Sequence, residues 1–547
     1  MSTSEILDDS ASASFETPEA FLTQSHLFHL GGLTTERQHP RTTHLSDWAA
    51  GDLAHALAVI QRCELEALGA LTRYSDELEL LRAKMQRALR EDRNVYLGGC
   101  GATGRLAISL EYLWREATMS EGRTQDLQRV RGFTAGGDLA LVRSVESFED
   151  YPAFGARQLD GLGYTARDLM VGITEGGETP FVIGATEHAA EMAELRPSFL
   201  FCNPVSDLVA QVVRSKRVLE NPRIDSLSLC VGPMLLSGST RLEASTVLML
   251  AAGLALLPDE QSEPVAARLQ RLGEAIETTD FGALAPFIER ESDAFLAGDQ
   301  ILYESRAYAI TILTDTTERH PTFNIAAFEN VHDDDAPLSE AYFVFPGSTT
   351  VEQSWQGLLA RPPRALDWHG YENRVGLERL YGYDFSENAR QRRVSMAPPG
   401  TRVHPFVIER QEQAIAWRLD ELSMQLPISG LSPLLQHILL KVLLNTHSTL
   451  MMGRCGRYQG NVMTWVRPTN GKLIDRAIRY VQYLLNTYTR CRPSYEEICR
   501  DLFAAMQTLT PEESVVLKTV ERITDREHDH LTLPQPAPPE RYAATSE

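Results

Sequence analysis

The sequence predicts an α/β protein in which two parallel-sheet domains stand in tandem before a helical C-terminal region. Its 547 residues exceed the usual length of one domain, so about two or three domains are expected. Helical patterns alternate with short apolar strands over most of the chain, and this alternation is typical of parallel sheets. From about residue 405 onward the pattern is nearly all helical.

In the first half, the predicted elements follow one another clearly. A helical run covers about 47–91, a strand at Asn94–Leu97 leads into a glycine-rich turn, and a helix runs from Gly104 to about Glu116. The other elements predicted here are strands at Asp168–Ile173, Ser198–Cys202 and Ser226–Val231 and a long apolar helix at Arg241–Leu257.

The second half repeats the alternation less regularly. Its predicted elements are a helix near 282–297, strands at Tyr308–Leu313 and Ala341–Phe345, and a helix at about Thr350–Leu359. Two later helices open with PSYEE and TPEES, where an N-cap Ser or Thr precedes acidic residues. The patterns predict a mobile or docked N-terminal extension over 1–45, α/β domains over 46–280 and 281–430, a helical region over 431–532, and a disordered, proline-rich tail over 533–547.

Composition and charge narrow the class of partner. The net charge of −22 argues against nucleic acid and membrane surfaces as partners, because both are anionic. The N-terminus lacks the features of a signal peptide, and no apolar run reaches the length of about 18 residues that a membrane span needs. The seven cysteines are scattered and never form a C-x-x-C pair. We therefore expect a cytoplasmic protein without a bound metal or cofactor.

The glycine-rich turn at Gly98–Arg105, with the sequence GGCGATGR, lies between a predicted strand and a predicted helix. Glycines let backbone amides approach an anion, and the N-terminus of the following helix adds a partial positive charge. The turn also fits G-x-G-x-x-G, but a dinucleotide fold wants an acidic residue at the end of its second strand. Glu116 falls within the first helix instead. An anion site, and a tight turn without a ligand, both remain open.

Four further segments occur in the order found in one known family. They are Thr134–Gly137 with Val145–Asp150 (TAGG and VESFED), Gly172–Pro180 (GITEGGETP), Cys202–Ser206 (CNPVS) and Gly232–Thr246 (GPMLLSGSTRLEAST). Together with GGCGATGR they resemble the sugar-isomerase-type (SIS) domains of N-acetylmuramic acid 6-phosphate etherases and of the glucokinase regulatory protein, over about residues 50–260. Gly460–Lys472 (GNVMTWVRPTNGK) resembles a later stretch of the family. The segment TDTTERHPTF, the second α/β half and the chain length favour the glucokinase-regulatory-protein-like branch.

The resemblance implies two SIS domains with flavodoxin-like sheets and a sugar site at the carboxyl ends of the strands. It implies these ligand-binding residues: Gly101, Ala102, Thr103, Gly104 and Arg105 in a first phosphate loop, Thr174, Glu175, Gly176, Glu178 and Thr179 in a second, Glu149 on the sugar, Ser239, Thr240 and Arg241 in a G-S-(S/T)-R turn, and Lys472 from the C-terminal part. In the etherases the glutamate that matches Glu149 also takes part in catalysis.

One departure from the etherase pattern concerns catalysis. The etherase reaction needs two carboxylates, one that helps to remove a proton from carbon and one that protonates the leaving lactyl ether oxygen. Glu149 matches one of them, whereas Leu113 stands where the other is expected, nine residues after Gly104. Glu111 would point to another face of the helix, and we expect it to be a solvated or capping carboxylate. Etherase activity is therefore not the preferred prediction.

A second departure concerns charge. Glu175 and Glu178 lie inside the second phosphate loop, and Glu243 stands where the etherases have lysine. A carboxylate about 4 Å from a phosphate repels it by about 4 kcal/mol at intermediate dielectric. We expect Glu175 and Glu178 to face solvent or a partner. As alternatives, the ligand is uncharged at that end, or the two glutamates bind sugar hydroxyls or take part in chemistry, or Arg105, Arg241 or Lys472 pairs with them.

The preferred prediction is a regulatory protein that binds a sugar phosphate and acts on a sugar kinase or on amino-sugar metabolism. Glu149 would be catalytic only in the alternative, an etherase-like lyase or a sugar-phosphate isomerase. A third possibility is a structural scaffold whose loop holds no ligand.

Overall fold

The computed structural model describes residues 15–529 except 146, 334, 335 and 511. Residues 1–14 of the predicted extension and the predicted tail over 533–547 lie outside the described residues. Two five-stranded sheets follow one another in the chain, and one hydrophobic core includes strands of both. The predicted α/β arrangement of two sheet-containing halves with a helical C-terminal region is confirmed.

The first sheet is wholly parallel, with its strands in the order β2-β1-β3-β4-β5. The strands are β1 (Val95–Gly99), β2 (Val130–Thr134), β3 (Leu169–Ile173), β4 (Ser198–Phe201) and β5 (Asp225–Ser228). The order is that of flavodoxin-like sheets, in which the chain changes direction across the sheet between β1 and β3. Ligands of such sheets bind at this switch point, outside the carboxyl ends of the strands.

Eleven α-helices belong to the first half of the described chain, up to Thr278. They are α1 (Pro18–Gln24), α2 (Leu45–Gly51), α3 (Leu53–Thr72), α4 (Ser75–Arg90), α5 (Ala102–Ser120), α6 (Pro152–Gly161), α7 (Pro180–Met192), α8 (Val205–Gln211), α9 (Val213–Leu219), α10 (Glu243–Leu256) and α11 (Val265–Thr278). Every residue of α10 is buried, as its apolar sequence predicts.

The second sheet is mixed, in the order β10-β9-β8-β6-β7. Its strands are β6 (Gln300–Glu304), β7 (Ala341–Val344), β8 (Val403–Arg410), β9 (Ala414–Leu419) and β10 (Leu422–Pro427). β6 pairs in parallel with β7 and β8, whereas β8, β9 and β10 form an antiparallel meander. The prediction that the chain is nearly all helical from residue 405 was therefore wrong over the meander.

One strand prediction in this half was also wrong. Residues 308–313 were expected to form a strand, but Ala309–Phe323 is a helix, α13. A short apolar run suits a buried strand and a buried helix equally, and nearly all of this helix is buried. The strand beside it is β6, which the sequence pattern did not reveal.

Ten helices complete the described chain. They are α12 (Ala285–Ala297), α13 (Ala309–Phe323), α14 (Val351–Leu359), α15 (Glu372–Val375), α16 (Leu377–Tyr381), α17 (Glu387–Met396), α18 (Pro433–Arg454), α19 (Gly471–Tyr488), α20 (Tyr495–Met506) and α21 (Val515–Arg526). α18 packs against α2 and α10 of the first half and against α12 and α13 of the second, so it joins the two halves.

The described part of the N-terminal segment is docked on the C-terminal helices. Phe21 is fully buried and packs against Phe503 of α20, while Phe28 lies against Gly471 at the start of α19. This segment therefore belongs to the folded body from about Phe15 onward. Over the described residues, none of the helices has the length and apolar character that crossing a membrane would require.

Candidate functional site

Two glycine-containing loops meet at the switch point of the first sheet. β1 and β3 are neighbours, with Gly98 paired to Gly172, so the segments that follow them emerge side by side. The first loop leads into α5 and the second, Thr174–Thr179, leads into α7. The sequence-predicted residues of both loops are therefore brought together at one edge of the sheet.

The first loop is a tight turn that its own side chains hold closed. Gly101 has a φ of +56° and a ψ of −124°, a conformation that residues with a Cβ avoid. The Cys100 amide donates to Thr103 Oγ1 over 2.9 Å, and this hydroxyl donates to the Cys100 carbonyl over 2.9 Å. A Cβ on Gly104 would lie 1.9 Å from Thr134 Oγ1. The Thr103 hydroxyl thus shapes the loop, and glycine lets α5 approach β2.

The second loop is fixed by its neighbours. Asn203 Nδ2 donates to the Gly176 carbonyl over 2.9 Å, and Ser215 Oγ donates to the Gly177 carbonyl over 2.7 Å. The Thr174 and Thr179 hydroxyls lie 3.0 Å apart. With its carbonyls held from outside, the loop keeps a fixed shape.

Backbone amides of both loops are left without acceptors. Among the residues that the structure describes, the amides of Gly101 and Ala102 in the first loop and of Gly176 and Gly177 in the second donate no hydrogen bond. Free amides at the N-terminal ends of two helices provide donors and a favourable dipole for an anion. The arrangement is suited to bind a phosphate.

Glu178, a residue of the second loop, is buried and paired with two cations. Arg214 Nη2 donates to its Oε2 over 2.5 Å, and Lys472 Nζ pairs with its Oε1. Burial alone would raise the pKa of Glu178, but Lys472 and Arg214 outweigh it and lower the pKa to about 2. The expectation that this side chain faces solvent was wrong, since it is 4% exposed.

Glu175 is also buried, at 8% exposure, and it too does not face solvent. Within the described chain, its Oε1 has no hydrogen-bond partner. Burial, aided by the nearby carboxyl group of Glu318, raises the pKa of Glu175 to about 8. The two loop glutamates are therefore in opposite states near neutral pH, Glu178 ionised and Glu175 mostly protonated.

Glu149 lies beside the first loop. It is exposed, in a short 3₁₀ turn, and Cys100 Sγ donates to its Oε2 over 3.3 Å. Burial and the charges of Glu149 and Glu175 raise the pKa of the Cys100 thiol, which stays protonated. Both carboxyl groups therefore act on the same thiol.

Two of the other predicted residues, Arg241 and Arg105, have hydrogen-bond partners outside the two loops. Arg241 donates to Asp315 over 3.1 Å and to Ser448 and Thr449 over 3.2 Å, so it joins the halves of the molecule. Arg105 Nε donates to the Leu141 carbonyl over 3.1 Å. Of the three cations considered as partners for the loop glutamates, Lys472 alone forms a direct ion pair with one of them among the described residues.

The G-S-(S/T)-R turn packs beneath α19. A Cβ on Gly238 would lie 2.9 Å from the Tyr480 hydroxyl, so the turn and the helix are in close contact. Thr240 is half-buried and Ser239 is buried, and Ser239 Oγ has no partner in the described part of the chain. This hydroxyl is a polar group that a ligand or a water could satisfy.

α19 holds a second buried carboxylate that sequence reasoning missed. Glu36 of the N-terminal segment accepts from Arg476 over 2.5 and 3.1 Å and from Arg479 over 3.1 Å. These cations outweigh burial and hold the pKa of Glu36 well below its usual range. The neighbouring Thr35 exchanges two hydrogen bonds with Asn203, which also supports the second loop. The N-terminal segment therefore buttresses the site.

Comparison with known proteins shows the family of the chain. The family model of the glucokinase regulatory protein N-terminal SIS domain matches residues 79–190. An N-acetylmuramic acid 6-phosphate etherase of Salinibacter ruber is 31% identical over 229 residues, which are 41% of this chain and 67% of that protein. The etherase of Pectobacterium atrosepticum is 33% identical over 225 residues, with the same two shares.

The chain belongs to the SIS-domain family of the glucokinase regulatory protein and the N-acetylmuramic acid 6-phosphate etherases.

Solved structures add only a weak likeness. The tagatose-6-phosphate ketose/aldose isomerase of Escherichia coli has a TM-score of 0.41 and 11% identity, covering 73% of this chain and 93% of that one. A protein of Silicibacter pomeroyi that is described as a phosphosugar isomerase has a TM-score of 0.37 and 14% identity, covering 73% of this chain and 98% of that one. These likenesses support no argument about this SIS-domain chain.

In this SIS-domain chain, the position of the second etherase carboxylate is apolar and buried. Leu113 is 4% exposed. Glu111 is buried too, and it accepts from Arg361, from Arg364 and from the Gly132 amide, so the expectation of a solvated carboxylate was wrong. It faces the second half of the molecule and ties the edge strand β2 to the segment after α14.

Glu243 is a buried structural acid in this chain. Its carboxyl group accepts from the Leu235 amide over 3.0 and 3.3 Å. Burial and the neighbouring Glu64 raise its pKa to about 8. It therefore stands near neutral pH as a mostly protonated group at the start of α10, rather than as a charge facing the phosphate loops.

Two further features concern the surroundings of the site, a large cavity and the grouping of side chains that could ligate a metal ion. A cavity of about 1060 Å³ lies at the edge of β2, with Phe133, Gln158, Arg364 and Trp368 among its walls, and none of the predicted site residues lines it. Over the described residues, no group of three or more His, Cys, Asp or Glu side chains is placed to hold a metal ion.

Proposed function

We propose that this protein binds a sugar phosphate at the carboxyl ends of β1 and β3 and that occupancy of the site regulates a partner protein. The observation that carries the proposal is a pair of neighbouring loops with free amides at Gly101, Ala102, Gly176 and Gly177, of which the second also contains Glu178, the ion-pair partner of Lys472. The amides suit the phosphate oxygens, and Lys472 supplies a cation from a separate part of the chain.

The charges in the loops are compatible with a bound phosphate. Glu175 is largely neutral near neutral pH and can donate a hydrogen bond, and Glu178 is neutralised by Lys472 and Arg214. The repulsion expected from two ionised carboxylates is therefore reduced to that of one ion-paired group.

A regulatory role is supported by the way the site joins distant segments. Lys472 lies in the first turn of α19, and the same helix holds Glu36 of the N-terminal segment. A ligand that changes the environment of Lys472 can therefore bias elements far from the loops, provided that it binds one arrangement better than another. By resemblance, we propose a sugar kinase as the partner, and a cytoplasmic location, to which seven free cysteines are suited.

Titration calorimetry with fructose 1-phosphate, fructose 6-phosphate and N-acetylmuramic acid 6-phosphate tests ligand binding. We expect one of them to bind and Lys472→Met to weaken that binding at least about tenfold, because the variant loses the charge. The matched control is Lys216→Met, at a half-exposed lysine of α9, which should leave the affinity unchanged. Absence of binding to all three, or equal affinity of Lys472→Met, would contradict the proposal.

Regulation has its own test. A sugar kinase from the same organism is assayed with increasing amounts of this protein, with and without the bound sugar phosphate. We expect inhibition or activation whose midpoint shifts when the ligand is added. A kinase rate that does not depend on this protein, or an effect that ignores the ligand, would leave a binding protein without this regulatory role.

A second candidate function is that of a lyase on N-acetylmuramic acid 6-phosphate. The observation in its favour is that Glu149, an exposed carboxyl group beside the first loop, accepts from the Cys100 thiol, while Glu175 of the neighbouring second loop is buried with its pKa raised to about 8. Such a pair can supply a base and a protonated acid, with Glu175 in place of the carboxylate that Leu113 replaces.

Lactate release from N-acetylmuramic acid 6-phosphate decides between the two candidates. A lyase should release lactate stoichiometrically and lose this activity in Glu149→Gln and in Glu175→Gln. Glu187→Gln, at a surface partner of Arg217, is the control and should keep full activity. Binding without lactate release would exclude the lyase and leave the binding proposal intact.

A further inference from the structure

The carboxylate of Glu178 is already ion-paired with Lys472, the cation that a bound phosphate would use. Lys472 Nζ pairs with its Oε1, and Arg214 pairs with its Oε2 and with its carbonyl oxygen. The Glu178 side chain is 5% exposed, whereas the Lys472 side chain is 36% exposed and can reach a ligand at the loop mouth. The protein thus carries an anion of its own next to the free amides.

We propose that Glu178 is an internal competitor for Lys472 and that this competition selects dianionic phosphate esters over neutral sugars and sugar carboxylates. The inference rests on the sugar-phosphate site proposed above. A phosphate dianion attracts an ammonium group more strongly than a single carboxylate does, so it can draw Lys472 away. A neutral sugar cannot, and a ligand monocarboxylate gains no advantage over Glu178.

Arg214 makes the exchange possible. When Lys472 turns to the ligand, Glu178 keeps the guanidinium of Arg214 on its other oxygen. No buried charge is then left without a partner, which would otherwise be strongly unfavourable. A lysine is suited to the exchanging role because its flexible stem and three donors allow it to change partners, whereas Arg214 is held at two points.

The competition cannot be avoided by movement of the loop. Asn203 and Ser215 hold the carbonyls of Gly176 and Gly177, directly before Glu178. Asn203 is in turn bonded to Thr35, next to Glu36, which pairs with Arg476 one turn after Lys472 on α19. Loop, N-terminal segment and helix therefore form a closed ring that keeps Glu178 facing Lys472.

The test is a set of affinities measured by titration calorimetry for fructose 6-phosphate, fructose and gluconate. For Glu178→Gln we expect fructose 6-phosphate to bind at least about tenfold more tightly, because a full negative charge leaves the site. Gluconate should gain affinity by a larger factor than fructose 6-phosphate, because in the wild type it cannot draw Lys472 away from Glu178, so the preference for phosphate over carboxylate narrows. The affinity for fructose should change by less than about twofold. Glu187→Gln is the matched control, since it removes a glutamate of α7, the helix that follows the second loop, that pairs with Arg217 outside the site.

A second variant moves the affinity in the opposite direction. In Arg214→Met, Glu178 depends on Lys472 alone, so fructose 6-phosphate should bind more weakly than to the wild type. The double variant E178Q/R214M should recover the loss, because the competitor is gone, and the two effects are then coupled rather than additive. Circular dichroism and the unfolding midpoint confirm that each variant is folded.

The outcomes separate this inference from the proposed function. Tighter binding in Glu178→Gln with recovery in the double variant supports the competitor. If the wild type binds fructose 6-phosphate and Glu178→Gln binds it no more tightly, the competitor is wrong and the sugar-phosphate site stands. If neither protein binds any of the phosphate esters, the site itself is wrong and the competitor with it.

Discussion

The carboxyl ends of the two sheets differ in how their polar groups are used. After β1 and β3 of the first sheet, loop amides lack acceptors and the buried Oε1 of Glu175 lacks a donor, within the described residues. After β6 of the second sheet, Glu304 pairs with Arg390 over 2.7 Å and Ser305 Oγ accepts from the Tyr308 amide over 3.1 Å. The polar groups at the carboxyl end of the first sheet are free to accept a ligand, whereas these groups of the second sheet are satisfied by partners within the protein.

The second half also contains a buried charge network. Arg319 is fully buried and donates to Asp315, to Glu291 and to the Tyr303 hydroxyl. Asp315 in turn accepts from Arg241, which belongs to the first half. The difference teaches that buried charge by itself does not indicate a site in this fold.

The largest expected effect comes from breaking this network. Arg319→Met should destabilise the protein by about 3–5 kcal/mol, because two buried carboxylates lose their main cation. Unfolding in urea measures the loss. Arg87→Met, which removes a surface partner of Glu91, is the control and should cost less than about 1 kcal/mol.

The comparison predicts that Arg319→Met leaves the ligand site working. Where the variant is folded, its affinity for fructose 6-phosphate should stay within about threefold of the wild type. A loss of affinity as large as that of Lys472→Met would show that the second half takes part in binding and would break the distinction between the two sheets.

The next effect is on the first loop. Gly104→Ala places a methyl group against Thr134 Oγ1, where a Cβ would lie at 1.9 Å, so α5 must move away from β2. We expect a loss of about 1–3 kcal/mol in unfolding free energy, together with weaker sugar-phosphate binding. The control is Gly69→Ala on the exposed face of α3, where no atom lies within 4 Å. It should stabilise by about 0.5–1 kcal/mol, and equal effects of the two substitutions would contradict the packing argument.

Four of the five strands of the first sheet could be predicted from sequence to within a few residues, whereas β2 (Val130–Thr134) was not predicted. β1 and β3 are continuous apolar runs buried along their whole length and followed by glycine, so pattern and punctuation agree. The meander β8–β10 could not be predicted. Its buried positions alternate with more exposed ones, which include charged residues such as Glu409 and Arg418, and such residues suit helices as well. The run at 308–313 is apolar in either structure, and only its surroundings decide.

The parts of the candidate site that lie within one continuous segment could be predicted from sequence, whereas contacts between segments far apart in the sequence could not. The loops could be recognised from their glycines, and the possibility that Lys472 pairs with a loop glutamate could be stated in advance. The partners Arg214 and Glu36 could not, since Arg214 lies 36 residues from Glu178 and Glu36 lies 440 from Arg476. The buried state of Glu175 depends on elements from both halves, and no local pattern reports it.

The smallest expected effect separates the two loop glutamates by pH. The folded-state pKa of Glu175 is raised to about 8 from 4.5, so its contribution to stability is present below pH 4.5 and is lost as pH rises through about 8. The pKa of Glu178 is lowered to about 2, so its contribution is present above pH 4.5 and is lost as pH falls through about 2. Two residues of one loop thus have opposite pH dependence.

The measurement is the unfolding free energy of wild type and Glu175→Gln between pH 5.5 and 7.5. Glu318, Lys441 and Lys472 act on Glu175 in both directions, and other buried acids titrate in this range, so the difference between the two proteins is the informative quantity. That difference should change by about 1 kcal/mol per pH unit, with the wild type losing stability as pH rises. Glu187→Gln should track the wild type. Parallel curves for wild type and Glu175→Gln would mean that Glu175 is ionised throughout, and the phosphate site would then face an additional charge that the loops do not neutralise.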